Sequence, residues 1–255
     1  CAAIASCHAA GIRTVMITGD HPLTAVAIAH GLRLAPDGQE PRVMDGTQLA
    51  ALSAEELRQQ VVDVSVFARV SPTDKLRIVT ALQERGRIVA MTGDGVNDAP
   101  ALRAADVGVA MGLRGTDAAK EAADLVLTDD NFASIARAVR EGRTVFDNIK
   151  KSLLFILPTN GGEAGVILLA IFAGLALPVT AAQILWINMV TTITLALALA
   201  FEPAEPGVMR RPPRAPREPL VTRILFARIV YVSLLMVAVT LAVYEWELAR
   251  GSSIE

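Results

Sequence analysis

Asp94 and Asp98, four positions apart with Asn97 between them, offer hard oxygen ligands of the kind Mg²⁺ takes and little that would hold a soft metal. They stand in the run Thr92-Gly93-Asp94-Gly95-Val96-Asn97-Asp98-Ala99-Pro100. Mg²⁺ usually accompanies phosphate, and a second turn, Thr18-Gly19-Asp20, carries a hydroxyl and a glycine amide that both donate hydrogen bonds to anionic oxygens. Between the two lies Ser71-Pro72-Thr73-Asp74-Lys75, whose Lys75 adds an ammonium. Taken alone, each has an ordinary explanation. Asp-Gly and Asn-Asp pairs are common turn chemistry, and a lone lysine in the first turn of a helix is usually a solvated charge. Nine residues in this order, echoed by a second turn of the same kind, are not common turn chemistry.

The surrounding sequence places both turns at strand ends. Ile88-Val89-Ala90-Met91 is a short apolar run of the type that forms a buried parallel strand, and a helical pattern opens at Ala99. Residues 14–17 form a similar strand before Thr18, and Pro22 then opens a helix to about His30, with Gly31 in the stop position. In open α/β sheets, ligands bind at the carboxyl ends of strands, where glycines let the backbone come close. Residues 1–10 read as a helix, 36–41 as a surface loop, Val43-Met44 as leading into a turn at Asp45-Gly46 and an acidic helical pattern through Glu55 and Glu56, 61–67 as a strand, and 106–110 and 124–127 as two more. The alternation points to an α/β fold with a mostly parallel sheet and helices on both faces.

Together these segments resemble the phosphorylation domain of the P-type cation-transporting ATPases, a HAD-like fold of the haloacid dehalogenase superfamily. The matching stretches are Met16 to Asp20, Ser71 to Lys75, Met91 to Leu102, and the tract from Asp106-Val107-Gly108-Val109-Ala110-Met111-Gly112 to Asp129-Asp130-Asn131-Phe132. The resemblance implies that Thr18, Gly19 and Asp20 surround the phosphoryl oxygens and that Lys75 neutralises their charge. It implies Asp94 as the Mg²⁺ ligand, with Asn97 and Asp98 completing the surroundings and ATP as substrate. The family's phosphorylated aspartate lies in a DKTGT motif, and none occurs in these 255 residues. The resemblance therefore implies an incomplete sheet, a carboxy-terminal piece of a larger pump that awaits its amino-terminal part, and no ATP turnover by the piece alone.

Composition separates two halves. A hydrophobic fraction of 53% is high for a soluble protein, and it concentrates beyond residue 150. A net charge of -2, only 4% aromatic residues and no basic cluster in the first half argue against nucleic-acid binding. Cys1 and Cys7, six apart on one helix, make no disulfide framework, in keeping with a cytosolic location for residues 1–150. Apolar stretches at about 153–177, 179–201 and 224–244 each exceed the roughly 20 residues needed to cross a bilayer. The expected division is a partial phosphorylation domain at 1–150 and an α-helical transmembrane bundle at 151–255. From Asn131 the helical pattern continues without a break into the first span, so one long helix should connect the halves. Pro158, Gly161 and Gly162 should kink or loosen it.

Lys150 and Lys151 precede the first span, and the loop at 202–223 carries Arg210, Arg211, Arg214, Arg217 and Arg223. The positive-inside rule puts both on the cytoplasmic side and a tight turn at Leu177-Pro178-Val179 outside, as in a multi-pass protein of the cell membrane. Tyr244 and Trp246 fall where an interfacial aromatic belt is expected. The Arg-Arg-Pro-Pro-Arg segment resembles the family's cytoplasmic loop that docks on the phosphorylation domain, and serves equally as a topology signal alone. Within the spans, Glu163 is a carboxylate in lipid surroundings, a functional-site hypothesis by default, with Asn160 on the same helical face. Asn188, Thr191 and Thr192 in the second span are consistent with helix-to-helix hydrogen bonding, or with cation ligands facing Glu163. The resemblance to the fifth and sixth helices of calcium-pump-like members places Asn160, Glu163, Asn188 and Thr191 at transport-site positions. Those pumps have Asp where Thr192 stands, so the resemblance implies a small cation, Ca²⁺ or another, with a single ion, monovalent or a proton, favoured by the lost charge. Two other readings remain open: a membrane-anchored phosphohydrolase, which has no need of Asn160 or Glu163, and a non-catalytic half that pairs with a separate chain.

Overall fold

The chain was analysed as a computed structural model that describes residues 1–35, 39–215 and 218–251. Part of the loop expected at 36–41, and Arg217, lie outside the described residues. Two compact units are present, residues 1–140 with 207–216, and 141–206 with 217–255.

The first unit alternates helix and strand in the order α1 (Ala2–Ala9), β1 (Met16–Ile17), α2 (Pro22–Leu32), β2 (Val43–Asp45), α3 (Gly46–Ala51), α4 (Ala54–Gln60) and β3 (Val66–Ala68). It continues with α5 (Pro72–Glu84), β4 (Ala90–Gly93), a 3₁₀ turn at Val96–Asp98, α6 (Ala99–Ala104), β5 (Val107–Met111), α7 (Asp117–Ala122) and β6 (Leu125–Leu127). Every strand pairing is parallel, as the unbroken apolar runs imply. In place of one sheet there are two of three strands, ordered β1-β3-β2 and β4-β5-β6. The two share a core. Ile17 of β1 packs on the cluster formed by Val79 of α5, Met91 of β4, Ala101 and Leu102 of α6, and Ala110 of β5.

Three local expectations differ. The run at 61–67 is a strand only at its end, because Val61 closes α4 through its amide to Leu57 O, while its side chain still fills the core. Gly31 lies within α2, and the left-handed stop residue is Arg33, at φ 56°. The 202–223 loop divides: residues 207–216 belong to the first unit, where Val208 is buried and the ring of Pro213 packs on Gly11.

Among the described residues, three helices are long and apolar enough to cross a membrane. The first, α8 (Phe132–Ala173), is the expected continuous helix of 42 residues. The second comprises α9 (Ala181–Thr191), a π-helical turn at Thr192–Ala196 and α10 (Leu197–Ala200); the third is α11 (Arg223–Ala249). The turn between the first two spans occupies seven residues where three were expected. Gly174 ends α8 in the left-handed region, at φ 66°, and Thr180 caps α9 through Gln183 N.

Pro158 and the nearby glycines do not interrupt α8. Hydroxyls gather at the proline: Thr159 Oγ1 donates to the carbonyls of Phe155 and Ile156, and Ser233 Oγ donates to that of Pro158. The glycines serve close packing, since a Cβ on Gly165 would stand 2.6 Å from Val237 Cγ2, and one on Gly161 would stand 2.5 Å from Ser233 Oγ. Gly142, in the same helix, has open space instead. Opposite signs are therefore expected. Gly142→Ala should stabilise by up to about 1 kcal/mol through helix propensity, whereas Gly165→Ala should cost about 1–3 kcal/mol from overpacking. Thermal melting in detergent checks both.

Candidate functional site

The site in the first unit is built from three helix starts. Ser71 caps α5 reciprocally with Asp74: Asp74 N donates to Ser71 Oγ at 3.2 Å, and Ser71 N donates to Asp74 Oδ2 at 3.1 Å. Pro72 follows in the first turn, and Lys75 is thereby held one turn into the helix. From there Lys75 Nζ reaches Asp98 Oδ1 at 2.5 Å.

Asp98 ends the 3₁₀ turn that follows β4 and is only 6% exposed. Its second oxygen, Oδ2, accepts the amides of Asp94 at 3.4 Å and Gly95 at 3.2 Å. The carboxylate fits there because residue 93 is glycine, on which a Cβ would lie 2.5 Å from Asp98 Cβ. Asp98 thus carries an ammonium on one oxygen and two amides on the other. Asp94 differs. Its backbone is held from both sides, by its amide to Asp98 and by its carbonyl, which accepts Thr116 N at 2.8 Å. Its residue is exposed, as is Asn97.

This donor chemistry fits Mg²⁺. That ion is reluctant to dehydrate and usually takes one or two carboxylates, filling its other positions with water and substrate phosphate. Asp94 offers one exposed carboxylate on a pinned backbone, and no group of three or more His, Cys, Asp and Glu suited to a metal occurs among the described residues.

The other turn, residues 18–20, leaves β1. Asp20 N donates to Thr18 Oγ1 at 3.1 Å, and the turn is tied to the end of β3 by Val70 N to Thr18 O and Arg69 N to Asp20 O. A Cβ on Gly19 would meet no atom within 4 Å, so the backbone there is open to an incoming group. The structure joins Lys75 to Asp98 directly. Thr18 is related to that pair through Ile17, which shares the core of Val79 and Met91.

In the second unit, Glu163 of α8 and Asn188 of α9 meet, Asn188 Nδ2 donating to Glu163 Oε2 at 2.8 Å. Thr191 Oγ1 donates to the carbonyls of Ile187 and Asn188 on its own helix. Thr192 opens the π turn, a feature frequent at functional sites, and is exposed, as is Asn160. Below this pair, Asn148 Nδ2 donates to the carbonyls of Ala200 and Glu202, and Lys151 pairs with Glu202 and Glu205. Those hydrogen bonds raise the Lys151 pKa, chiefly through Glu202 and then Glu205.

Sequence reasoning passed over Gly93 as a packing position and Thr116 as a cap, and noted Asp130 only within the matching tract Asp129-Asp130-Asn131-Phe132, with no role. Thr116 carries a readable signal, a Thr followed by Asp at the start of a helical pattern, and it does cap α7 through Ala119 N. Gly93 and Asp130 have no such local mark.

Comparison with known proteins now bears on this geometry. Residues 1–106 and 75–139 match models of haloacid dehalogenase-like hydrolases, and residues 176–254 match the model described as cation transporting ATPase, C-terminus. A probable cation-transporting ATPase F of Mycobacterium bovis is 58% identical over 255 residues, 99% of this chain and 28% of the relative. The cation-transporting ATPase pma1 of Synechocystis is 52% identical over 96% of this chain and 27% of the relative. A calcium-transporting ATPase of Bacillus subtilis is 54% identical over 89% and 25%, respectively. The chain spans little more than a quarter of the length of these relatives.

Proposed function

We infer, from a chain that belongs to the P-type cation-transporting ATPases, that the intact protein moves a small cation across a membrane, driven by ATP hydrolysis through an aspartyl-phosphate. The chain is part of a multi-pass membrane protein, with three apolar helices of spanning length among the described residues. The cell membrane is the proposed location, with the first unit in the cytosol. The single observation that carries the transport reading is the Glu163–Asn188 hydrogen bond at 2.8 Å between two candidate spans. A carboxylate within lipid is costly, and one paired with an amide on the neighbouring span is well placed to bind a cation.

In this reading the terminal phosphoryl group of ATP passes to an acceptor aspartate and then to water. No DKTGT segment occurs in the 255 residues, so the acceptor is proposed to lie elsewhere in the intact protein, and the chain by itself is proposed to be inactive. Thr18 and Gly19, with Asp20, present a hydroxyl and amides to the phosphoryl oxygens. Lys75 counters their charge from its place on Asp98, and Asn97 lies beside them. Asp94 holds Mg²⁺, which supplies charge neutralisation at the phosphoryl group when bound. Asn160, Glu163, Asn188, Thr191 and Thr192 line the proposed ion path, and α8 is the proposed mechanical link to it. Thr192 contributes no charge, so Glu163 is the sole carboxylate of this set.

The test is cation dependence. Vesicles containing the intact polypeptide should hydrolyse ATP faster, and take up ion, when one particular cation is supplied at constant Mg²⁺. Hydrolysis indifferent to every added cation, with no uptake, would instead indicate a membrane-anchored phosphohydrolase.

A further inference from the structure

We propose that Asp130 is a positioning residue for Asp94: its carboxylate clamps the loop that leads from β5 to α7, and that loop holds the backbone of the proposed Mg²⁺ ligand. The inference rests on the reading of Asp94 given above.

The connection is a chain of backbone contacts within the first unit. Asp130 Oδ1 accepts the amide of Leu113 at 3.0 Å, and Oδ2 accepts that of Arg114 at 2.9 Å. One carboxylate thus holds two successive amides in the middle of a loop whose Leu113 is 75% exposed. The loop's ends are anchored by Gly112 N to Leu127 O at 2.8 Å and by Thr116 N to Asp94 O, also at 2.8 Å. Two residues after Arg114, the loop has therefore reached Asp94 itself.

The geometry at Asp130 is specific. The residue adopts φ 48°, a left-handed conformation that a non-glycine residue occupies at some cost and that Asp tolerates better than most. Its amide returns to Leu127 O at 3.3 Å, so the turn after β6 and the loop after β5 are tied to the same carbonyl. Against desolvation, which acts the other way, the amides of Leu113, Arg114 and Gly112 hold its carboxyl below the usual carboxylate range. Asp129, its neighbour, serves a different purpose. It accepts Ser134 Oγ and Asn131 N at the start of α8, on the side of the helix and not of the loop.

Asp94 is consequently pinned twice. Asp98 holds its amide, and the loop clamped by Asp130 holds its carbonyl. A ligand whose backbone is free on one side presents its carboxylate less often in the orientation the metal needs. Outer partners of metal ligands typically contribute 10–100-fold in metal affinity.

The experiment uses the intact polypeptide, purified in detergent, with Mg²⁺ titrated in two ways: as the concentration giving half of the thermal stabilisation in the presence of inorganic phosphate, and as the half-saturating concentration for ATP hydrolysis. Asp130→Ala should raise both midpoints about tenfold. Asp130→Asn, which keeps one acceptor oxygen, should raise them less, and Asp129→Ala should leave them in place. A role confined to loop stability would lower the melting temperature equally at every Mg²⁺ concentration without moving either midpoint, and that result would overturn the proposal. Should Asp130→Ala fail to fold, the Asn variant carries the test. Asp94→Asn separates the two levels. If it shifts the midpoints while both Asp130 variants stay within twofold of wild type, the positioning role is wrong; if it shifts nothing, the assignment of Asp94 to the metal fails and takes the positioning role with it.

Discussion

Replacing Lys75 by methionine is expected to destabilise the first unit by about 3 kcal/mol and to cut ATP hydrolysis by the intact protein by roughly 10²–10³-fold. The stability loss follows from what is left behind. The Asp98 side chain is 9% exposed and the Lys75 side chain 20%, so loss of the ammonium strands a carboxylate that only two amides then support. Removing one partner of a buried pair usually costs about 3–5 kcal/mol; the part-exposed lysine puts this pair at the lower end. The catalytic loss has a separate origin, because the ammonium also faces the proposed phosphoryl group, where charge builds in the transition state. A double substitution distinguishes the two. Lys75→Met with Asp98→Leu removes both charges and should recover part of the melting temperature while restoring no activity. A Lys75→Met protein that melts with wild type and hydrolyses ATP within tenfold of it would show that the pair is ordinary surface chemistry.

Glu163→Gln is expected to abolish ion uptake while leaving the two spans joined. Glutamine keeps the length of the side chain and an oxygen that can still accept Asn188 Nδ2, so the helix contact at 2.8 Å survives. What disappears is the negative charge. At about 4 Å and an effective dielectric of about 20, one unit charge attracts a monovalent cation by about 4 kcal/mol, so the apparent ion affinity should fall by roughly 10²–10³-fold. Asn188→Ala should cost less, about 1–2 kcal/mol, because it removes a hydrogen bond and leaves the charge. The measurement is uptake and cation-stimulated hydrolysis in the same vesicles. Uptake by the Glu163→Gln protein at wild-type ion affinity would rule the carboxylate out of the path, and with it the observation on which the transport reading rests.

The alternation of helices and strands outside residues 43–51, the strand-to-helix setting of both glycine turns, the position of Lys75 one turn into α5, and three apolar helices of spanning length were legible in the sequence. The reason is that each is encoded within a few neighbouring residues. A capping box needs only Ser71 and Asp74, a buried strand needs a run such as Ile88 to Met91, and a span needs about 20 apolar residues in succession. Such signals fail where long-range packing competes with them. Val61 and Val64 look like strand residues, yet they are buried ahead of the strand, Val61 in the turn that closes α4, and Gly31 looks like a helix stop, although the helix runs on to Leu32 and Arg33 takes the left-handed cap.

Pairings across the chain were decided only by tertiary structure. Nothing within reach of Lys75 in the sequence shows that it meets Asp98, 23 positions on, or that Asp98 needs Gly93 beneath it. The same holds for Asp130, which resembles any other turn aspartate until the loop from β5 is laid against it. Gly161 and Gly165 carry opposite meanings at the two levels: by local propensity they weaken a helix, and in the folded bundle they let Ser233 and Val237 approach. Local pattern selects which element forms, because the backbone's hydrogen bonds and a single apolar face are satisfied within the element. Which side chains then share a site depends on the alignment of strands and helices far apart in the chain, where one residue of shift would separate Lys75 from Asp98 or Glu163 from Asn188.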